Sequence, residues 1–274
     1  MRHVKLNVGF PVVVSLLALL AMVFLSACIQ TPASQDVQDQ DVQDHGAAAS
    51  GEINYTKQNR KLGEQVVNFV TTDGVAIFGT LYSNSDTNRS VVLVHMLSSD
   101  RKAYEDFARQ LQQQGFNALS IDMRGHGQST MQIRSWQIMG PPDFQNSVRD
   151  IEAAVQYLEN QGMQPDALVG ASIGANLALI YGAISQGTKK IVLLSPGIDY
   201  RGVNIGPVAP EYKSAAFLIA AFDDEYSAST VQTIDNAMKN QDNKIRIFES
   251  GGHGTNLLTT QPGVKQEIID WLKT

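Results

Sequence analysis

A serine set between two glycines is the first chemistry the chain offers. Gly170-Ala171-Ser172-Ile173-Gly174 closes the apolar run Asp166–Ala171 and opens a second apolar stretch at Ile173. A serine on a sharp strand-to-helix turn has its Oγ lifted above a sheet edge, and the glycines keep backbone from colliding across the turn. The helix that begins there helps stabilise negative charge developing nearby. Such a serine becomes a nucleophile when a base stands beside it, and five histidines are available. His3 and His45 lie near the N-terminus, away from any core. His95 ends a strand-like run, and His126 sits in the glycine-rich turn Asp122-Met123-Arg124-Gly125-His126-Gly127-Gln128-Ser129. His253, in Glu249-Ser250-Gly251-Gly252-His253-Gly254, follows the last strand-like run with glycines on both sides, which leaves its ring free to approach a serine. It is the expected general base. An acid must then fix the imidazole tautomer, and Asp223, Asp224 and Glu225 compete for that place after the run Ala215–Ala221.

A serine attack on a carbonyl builds an oxyanion that needs two preorganised N–H donors, worth about 3–4 kcal/mol each. The amide of Ile173, directly after the serine, is one. The other is expected from Met96-Leu97-Ser98-Ser99-Asp100, with Leu97 first and Met96 second. Ser99 or Asp100 is expected to cap the following helix. No His-Gly-Gly-Gly run is present there, which implies a short loop with a single donor. This chemistry calls for no metal and no cofactor.

Alternating strand and helix signals must position these groups. Val66–Thr72 and Val75–Tyr82 flank Asp73-Gly74, a hairpin signal. Strand-like runs follow at Ser90–His95, Ala118–Met123, Asp166–Ala171, Ile191–Leu194, Ala215–Ala221 and Lys244–Phe248, giving eight strands in all. Helical stretches lie between them, around Ala103–Gln114, Asn146–Gln161, Ile173–Ser185, Thr230–Lys239 and Pro262–Leu272. One hairpin followed by repeated strand–helix units argues for a mainly parallel sheet covered on both faces. At 274 residues and 43% hydrophobic, the chain can bury one substantial core. A net charge of −6 with scattered Lys and Arg excludes a nucleic-acid footprint.

The single cysteine, Cys28, leaves no internal disulfide framework. It follows Arg2 and Lys5, an apolar run from Val8 to Leu25, and the small residues Ser26-Ala27. That order describes a secretory signal peptide. Leu25-Ser26-Ala27-Cys28 resembles the bacterial lipobox, which implies a lipidated Cys28, residues 1–27 removed, and a membrane-anchored protein of the cell envelope. Residues 28–60, with the repeated Asp-Val-Gln-Asp at 36–39 and 41–44, read as a flexible tether with a reach of roughly 30 Å. The globular domain is expected over residues 61–274.

From about residue 65 onward, the ordered landmarks Val94-His95, Asp122–Ser129, Gly170–Gly174, Asp224 and His253 resemble the α/β-hydrolase superfamily. Within it the chain looks most like compact dienelactone-hydrolase-like or serine-aminopeptidase-like esterases. The resemblance implies an α/β-hydrolase fold whose eight-stranded, mostly parallel sheet has an antiparallel second strand and helices on both faces. It favours Asp224 as the acid, because such hydrolases carry Gly-x-x-Asp there and Ala221 stands in the glycine's place. Asp223 ranks second, and Glu225 reads as a solvated turn charge. The order Ser172, Asp224, His253 matches this fold. The sequence departs from the pattern at Met96, where many members have glycine, and at Ser172, where dienelactone hydrolases proper use cysteine. About twenty residues between Leu194 and Ala215 leave no room for a large cap. The site should therefore be open, with Trp136, Met139, Pro141, Pro142, Pro196 and Tyr226 as rim candidates. The resemblance implies hydrolysis of a carboxylic ester on a small acyl substrate through an acyl-enzyme on Ser172. Amide or peptide hydrolysis and acyl transfer are alternatives using the same residues. A non-catalytic envelope binding lipoprotein is the alternative of another class.

Overall fold

Residues 62–130, 134–185 and 187–274 are described by the computed structural model, and the signal segment, the tether and Cys28 lie outside them. Among the described residues the strands are β1 (Leu62–Val70), β2 (Ala76–Asn84), β3 (Arg89–Val94), β4 (Asn117–Ile121), β5 (Gln164–Ala171), β6 (Lys190–Leu194), β7 (Asp199–Tyr200), β8 (Val203–Asn204), β9 (Ala215–Ala221) and β10 (Lys244–Phe248). The α-helices are α1 (Glu105–Gln113), α2 (Pro141–Asn146), α3 (Val148–Asn160), α4 (Ile173–Ile184), α5 (Glu225–Met238), α6 (Leu257–Thr260) and α7 (Val264–Lys273). Eight strands form one sheet in the order β1-β2-β4-β3-β5-β6-β9-β10, and β7 and β8 pair separately. β2 runs antiparallel to both neighbours, while the pairs from β4 to β10 are parallel. This is the α/β-hydrolase fold, with the second strand reversed as the resemblance implied.

Alternation along the parallel strands builds the two covered faces. In β3, Val92 and Val94 belong to one apolar cluster and Val91 and Leu93 to the other. β6 repeats this with Ile191 and Leu193 against Val192 and Leu194. The first cluster takes in α3, α4 and α5, and the second takes in α1 and α7. With both faces buried, the strands read as continuous apolar runs and not as alternating ones.

The differences from expectation have local causes. β1 begins at Leu62 and not Val66, because an edge strand gains backbone pairing down to Leu62↔Asn84 without needing apolar side chains. The hairpin turn spans 71–75, where Thr71 N–H donates to Val75 O at 2.9 Å and Gly74 takes φ +82°. The helix expected over Asn146–Gln161 is α3, and a separate short helix, α2, precedes it, the two meeting at Ser147. α5 starts at Glu225, five residues before the expected Thr230, because its first turn carries an acid suited to the helix N-terminus but little apolar periodicity. Between β6 and β9 the chain forms the β7–β8 hairpin and one 3-10 turn at Ala209–Glu211, with no helical cap.

Candidate active site

Ser172, Asp224, His253 and the Met96–Leu97 loop all follow the C-terminal ends of parallel strands, β5, β9, β10 and β3 respectively. Ser172 follows β5 with φ 54° and ψ −122°, a strained conformation for a residue with a side chain. Strain of this kind costs about 1–3 kcal/mol and persists only where the surroundings enforce it. Ser172 N–H donates to Leu194 O at 2.8 Å, and Ser172 O accepts from Ala175 N–H at 2.9 Å. A Cβ on residue 170 would overlap the Gly174 carbonyl, and one on residue 174 would overlap the carbonyls of Val94 and His95. Both glycines are thus required by close backbone approach. The Ser172 side chain sits at the mouth of the sheet, and the residue is 5% exposed. Ile173, which opens α4, carries one of the amides for which a helix start has no internal partner.

His253 comes from the loop after β10. Its Nδ1 lies 2.7 Å from Asp224 Oδ2, with the imidazole partly exposed and the carboxylate largely covered. Burial pushes the Asp224 pKa up, but hydrogen bonds with His253, Ser227 and Ser195 outweigh it and hold the carboxyl below its ordinary value. Asp223 does something else: its carboxylate accepts Gly251 N–H at 3.0 Å and Gly252 N–H at 3.2 Å, fastening the loop that carries His253. Glu225 lies exposed in the first turn of α5.

Ser172 and His253 belong to one neighbourhood. Gly254, next to His253, donates its N–H to Ser195 Oγ at 2.9 Å, and a Cβ placed on it would lie 3.6 Å from the Ala171 Cβ. Tyr200 bridges the two sides. Its ring meets the His253 ring edge-on at 5.9 Å and 81°, and its hydroxyl reaches the carbonyl of Ser195, next to Leu194, whose own carbonyl accepts the Ser172 N–H. The same hydroxyl lies 3.1 Å from Ser227 Oγ and 3.5 Å from Ser195 O.

In the loop after β3, Met96 packs its sulfur against the His253 loop, accepting from Thr255 Oγ1 at 3.7 Å. Leu97 packs against the core, and Ser98 takes φ 57°. Asp100 is the cap, its carboxylate accepting Lys102 N–H at 2.8 Å. His95 is fully buried, with Nδ1 2.7 Å from Met96 O and Nε2 accepting Met123 N–H at 3.1 Å. The turn 122–129 is scaffolding. Asp122 accepts the N–H groups of Arg101 and Gln128 at 2.8 Å each and pairs with the Arg101 guanidinium. Arg124 clamps Asp150 and Asp73, tying the β1–β2 turn to α3. Among the rim candidates, Pro141 and Pro142 are exposed, Trp136 stacks on His126 at 5.6 Å, and Pro196 is buried. Among the described residues no cluster of three His, Cys, Asp or Glu side chains could hold a metal ion.

A family model described as "Hydrolase_4: Serine aminopeptidase, S33" matches residues 85–244, more than half of the chain. The chain belongs to this family. The S33 member is 28% identical over 109 residues to the AB hydrolase superfamily protein YisY of Bacillus subtilis, covering 39% of this chain and 37% of that protein. It is 26% identical over 148 residues to the thiohydrolase aneE of Aspergillus aculeatus, covering 53% and 45% respectively. It thus spans less than half the length of these curated relatives. Among solved structures, the esterase Pf2001 of Pyrococcus furiosus superposes with a TM-score of 0.65 at 17% identity, over 78% of this chain and 93% of that one. The dienelactone hydrolase of Anabaena variabilis gives 0.64 at 20% identity, over 77% and 97%. These two likenesses establish the fold.

Four residues of this S33 family member escaped the sequence reading: Asn176, Ser195, Tyr200 and Ser227. Ser195 carried one faint signal, its place directly after the β6 run, where φ 52° now marks it as strained. The other three depend on how the segment between β6 and β9 folds back, which no spacing reveals.

Proposed function

We propose that the protein is a serine hydrolase that cleaves carboxylic esters through an acyl-enzyme on Ser172. In this reading His253 takes the Oγ proton as Oγ bonds to the substrate carbonyl carbon. The resulting oxyanion is held by the N–H of Ile173 and a second N–H from Leu97, with Met96 as the neighbouring candidate. As the tetrahedral intermediate collapses, the bond to the leaving oxygen breaks with its electron pair, and the imidazolium returns the proton to that oxygen. Water then repeats the sequence on the acyl-enzyme. Asp224 holds the Nδ1–H tautomer and stabilises the imidazolium.

The observation that carries this reading is the 2.7 Å contact of His253 Nδ1 with Asp224, made beside a serine held at φ 54°. A binding protein has no chemical use for that combination. A fluorophosphonate probe should label the wild type and leave Ser172→Ala unlabelled; an unlabelled wild type would remove the acyl-enzyme. Turnover of nitrophenyl esters set beside aminoacyl amides decides between ester and peptide bonds.

Export and lipid attachment at Cys28 are part of the same proposal, supported by the charged start, the apolar run and Leu25-Ser26-Ala27-Cys28. Cys28→Ala should leave an uncleaved precursor without lipid, and normal maturation of that variant would rule the anchor out.

A further inference from the structure

The hairpin between β6 and β9 is fixed by the helix that carries the nucleophile. Asn176 lies in the first turn of α4, fully buried, and its Nδ2 donates to Gly197 O at 2.7 Å and Val203 O at 2.8 Å. Its Oδ1 accepts Gly197 N–H at 3.2 Å. A side chain at Gly197 would collide with the rings of Tyr200 and Tyr226. Tyr226 closes the arrangement from α5, its hydroxyl accepting Asp199 N–H at 3.0 Å. Three elements therefore converge to place one phenol.

That phenol stands where acyl transfer has a vacancy for a donor. The imidazole that takes the Ser172 proton must also reach the departing oxygen, so that oxygen passes between the His253 ring and Ser172. Tyr200 borders both, with its ring T-shaped on His253 and its hydroxyl 3.5 Å from the carbonyl of Ser195, next to the Leu194 carbonyl that accepts the Ser172 N–H. We propose that Tyr200 is a catalytic residue of this site, its phenol donating a hydrogen bond to the oxygen that leaves the acyl carbon and, in the second half-reaction, to the water that attacks it. This inference rests on the acyl-enzyme reading above. No proton is transferred by Tyr200; the proton still travels through His253, and the phenol offsets charge on the oxygen while its bond to carbon breaks or forms. Burial first, then the Asp224 charge, pushes the Tyr200 pKa up to about 12, so the phenol keeps its hydrogen across the working range. At rest the hydroxyl engages Ser227 Oγ and Ser195 O, and it needs only to turn its O–H bond to serve the substrate.

The test exploits leaving-group chemistry. A nitrophenolate departs with little help, whereas an ethoxide needs a donor. In the full-length protein Tyr200→Phe keeps the ring on His253 and removes only the hydroxyl. For ethyl and nitrophenyl esters of one acid, kcat/KM for the ethyl ester should fall about tenfold, a hydrogen bond's worth, while the nitrophenyl acylation burst should change less than about twofold. Equal losses on both esters, or no loss on either, would overturn the proposal. The ratio between the esters is taken within one preparation and does not depend on how much of the variant is folded. A wild type that fluorophosphonate labels keeps the acyl-enzyme reading standing whatever the ratio shows, and one that it does not label removes both.

Discussion

Two adjacent carboxylates illustrate how much one residue's position decides. Asp224 meets His253 Nδ1 at 2.7 Å, whereas Asp223 binds two backbone N–H groups of the loop that carries His253. An Asp224→Asn variant would present an amide to the imidazole and favour the wrong tautomer, as it does in other triads, where the loss in kcat is about 10⁴-fold. Asp223→Ala should instead cost stability, about 1–2 kcal/mol for two orphaned amides, with a far smaller loss of kcat. Steady-state ester hydrolysis and thermal melting of the two variants separate these outcomes. Comparable kcat losses in both would mean that the acids share the role, and the assignment to Asp224 would fail.

At the scale of elements, α4 and the β7–β8 hairpin act as one unit, because Asn176 sits four residues after Ser172 and holds Gly197 and Val203. The sequence made the strained turn at Ser172 legible through glycines that the backbone requires, and the pairing of His253 with Asp224 through their places after β10 and β9. The parallel strands were legible because burial on both faces leaves unbroken apolar runs. What stayed hidden has a common cause. Asn176 looks like any polar residue in a helix, and Tyr200 like any aromatic in a loop; their contacts join segments 21 to 53 positions apart, as when Asn176 reaches Gly197 or Tyr200 reaches His253. The start of the edge strand β1 was illegible for a different reason. β1 is held to β2 by backbone pairing, so Glu64 and Gln65 could join it without leaving a pattern.

For the whole molecule, the sensitive point is a pair of neutral imidazoles behind the site. His95 is fully buried, and burial lowers its pKa from 6.5 to about 4. His126, stacked on Trp136 and edge-on to His95, is lowered to about 4 by burial and then by the charge of His95. Both folded-state values lie below the unfolded value, so between pH 6.5 and 4 the unfolded chain binds protons that the folded chain refuses. Stability is therefore complete above about pH 6.5 and is lost as the pH falls toward 4, by on the order of 3 kcal/mol for each ring at most. Asp150 acts the other way: burial raises its pKa to about 6 against the pull of Arg124, so the folded state holds a proton there that the unfolded chain has released. Two rings outweigh one carboxyl, and the melting temperature should drop steeply from pH 6.5 to 4.5. His126→Phe keeps an aromatic face for Trp136 and removes one titrating group, along with the unpartnered Nε2 buried there. Its melting temperature should fall less over that interval than that of the wild type. Parallel pH profiles for the two proteins would place the acid sensitivity elsewhere than in this pair.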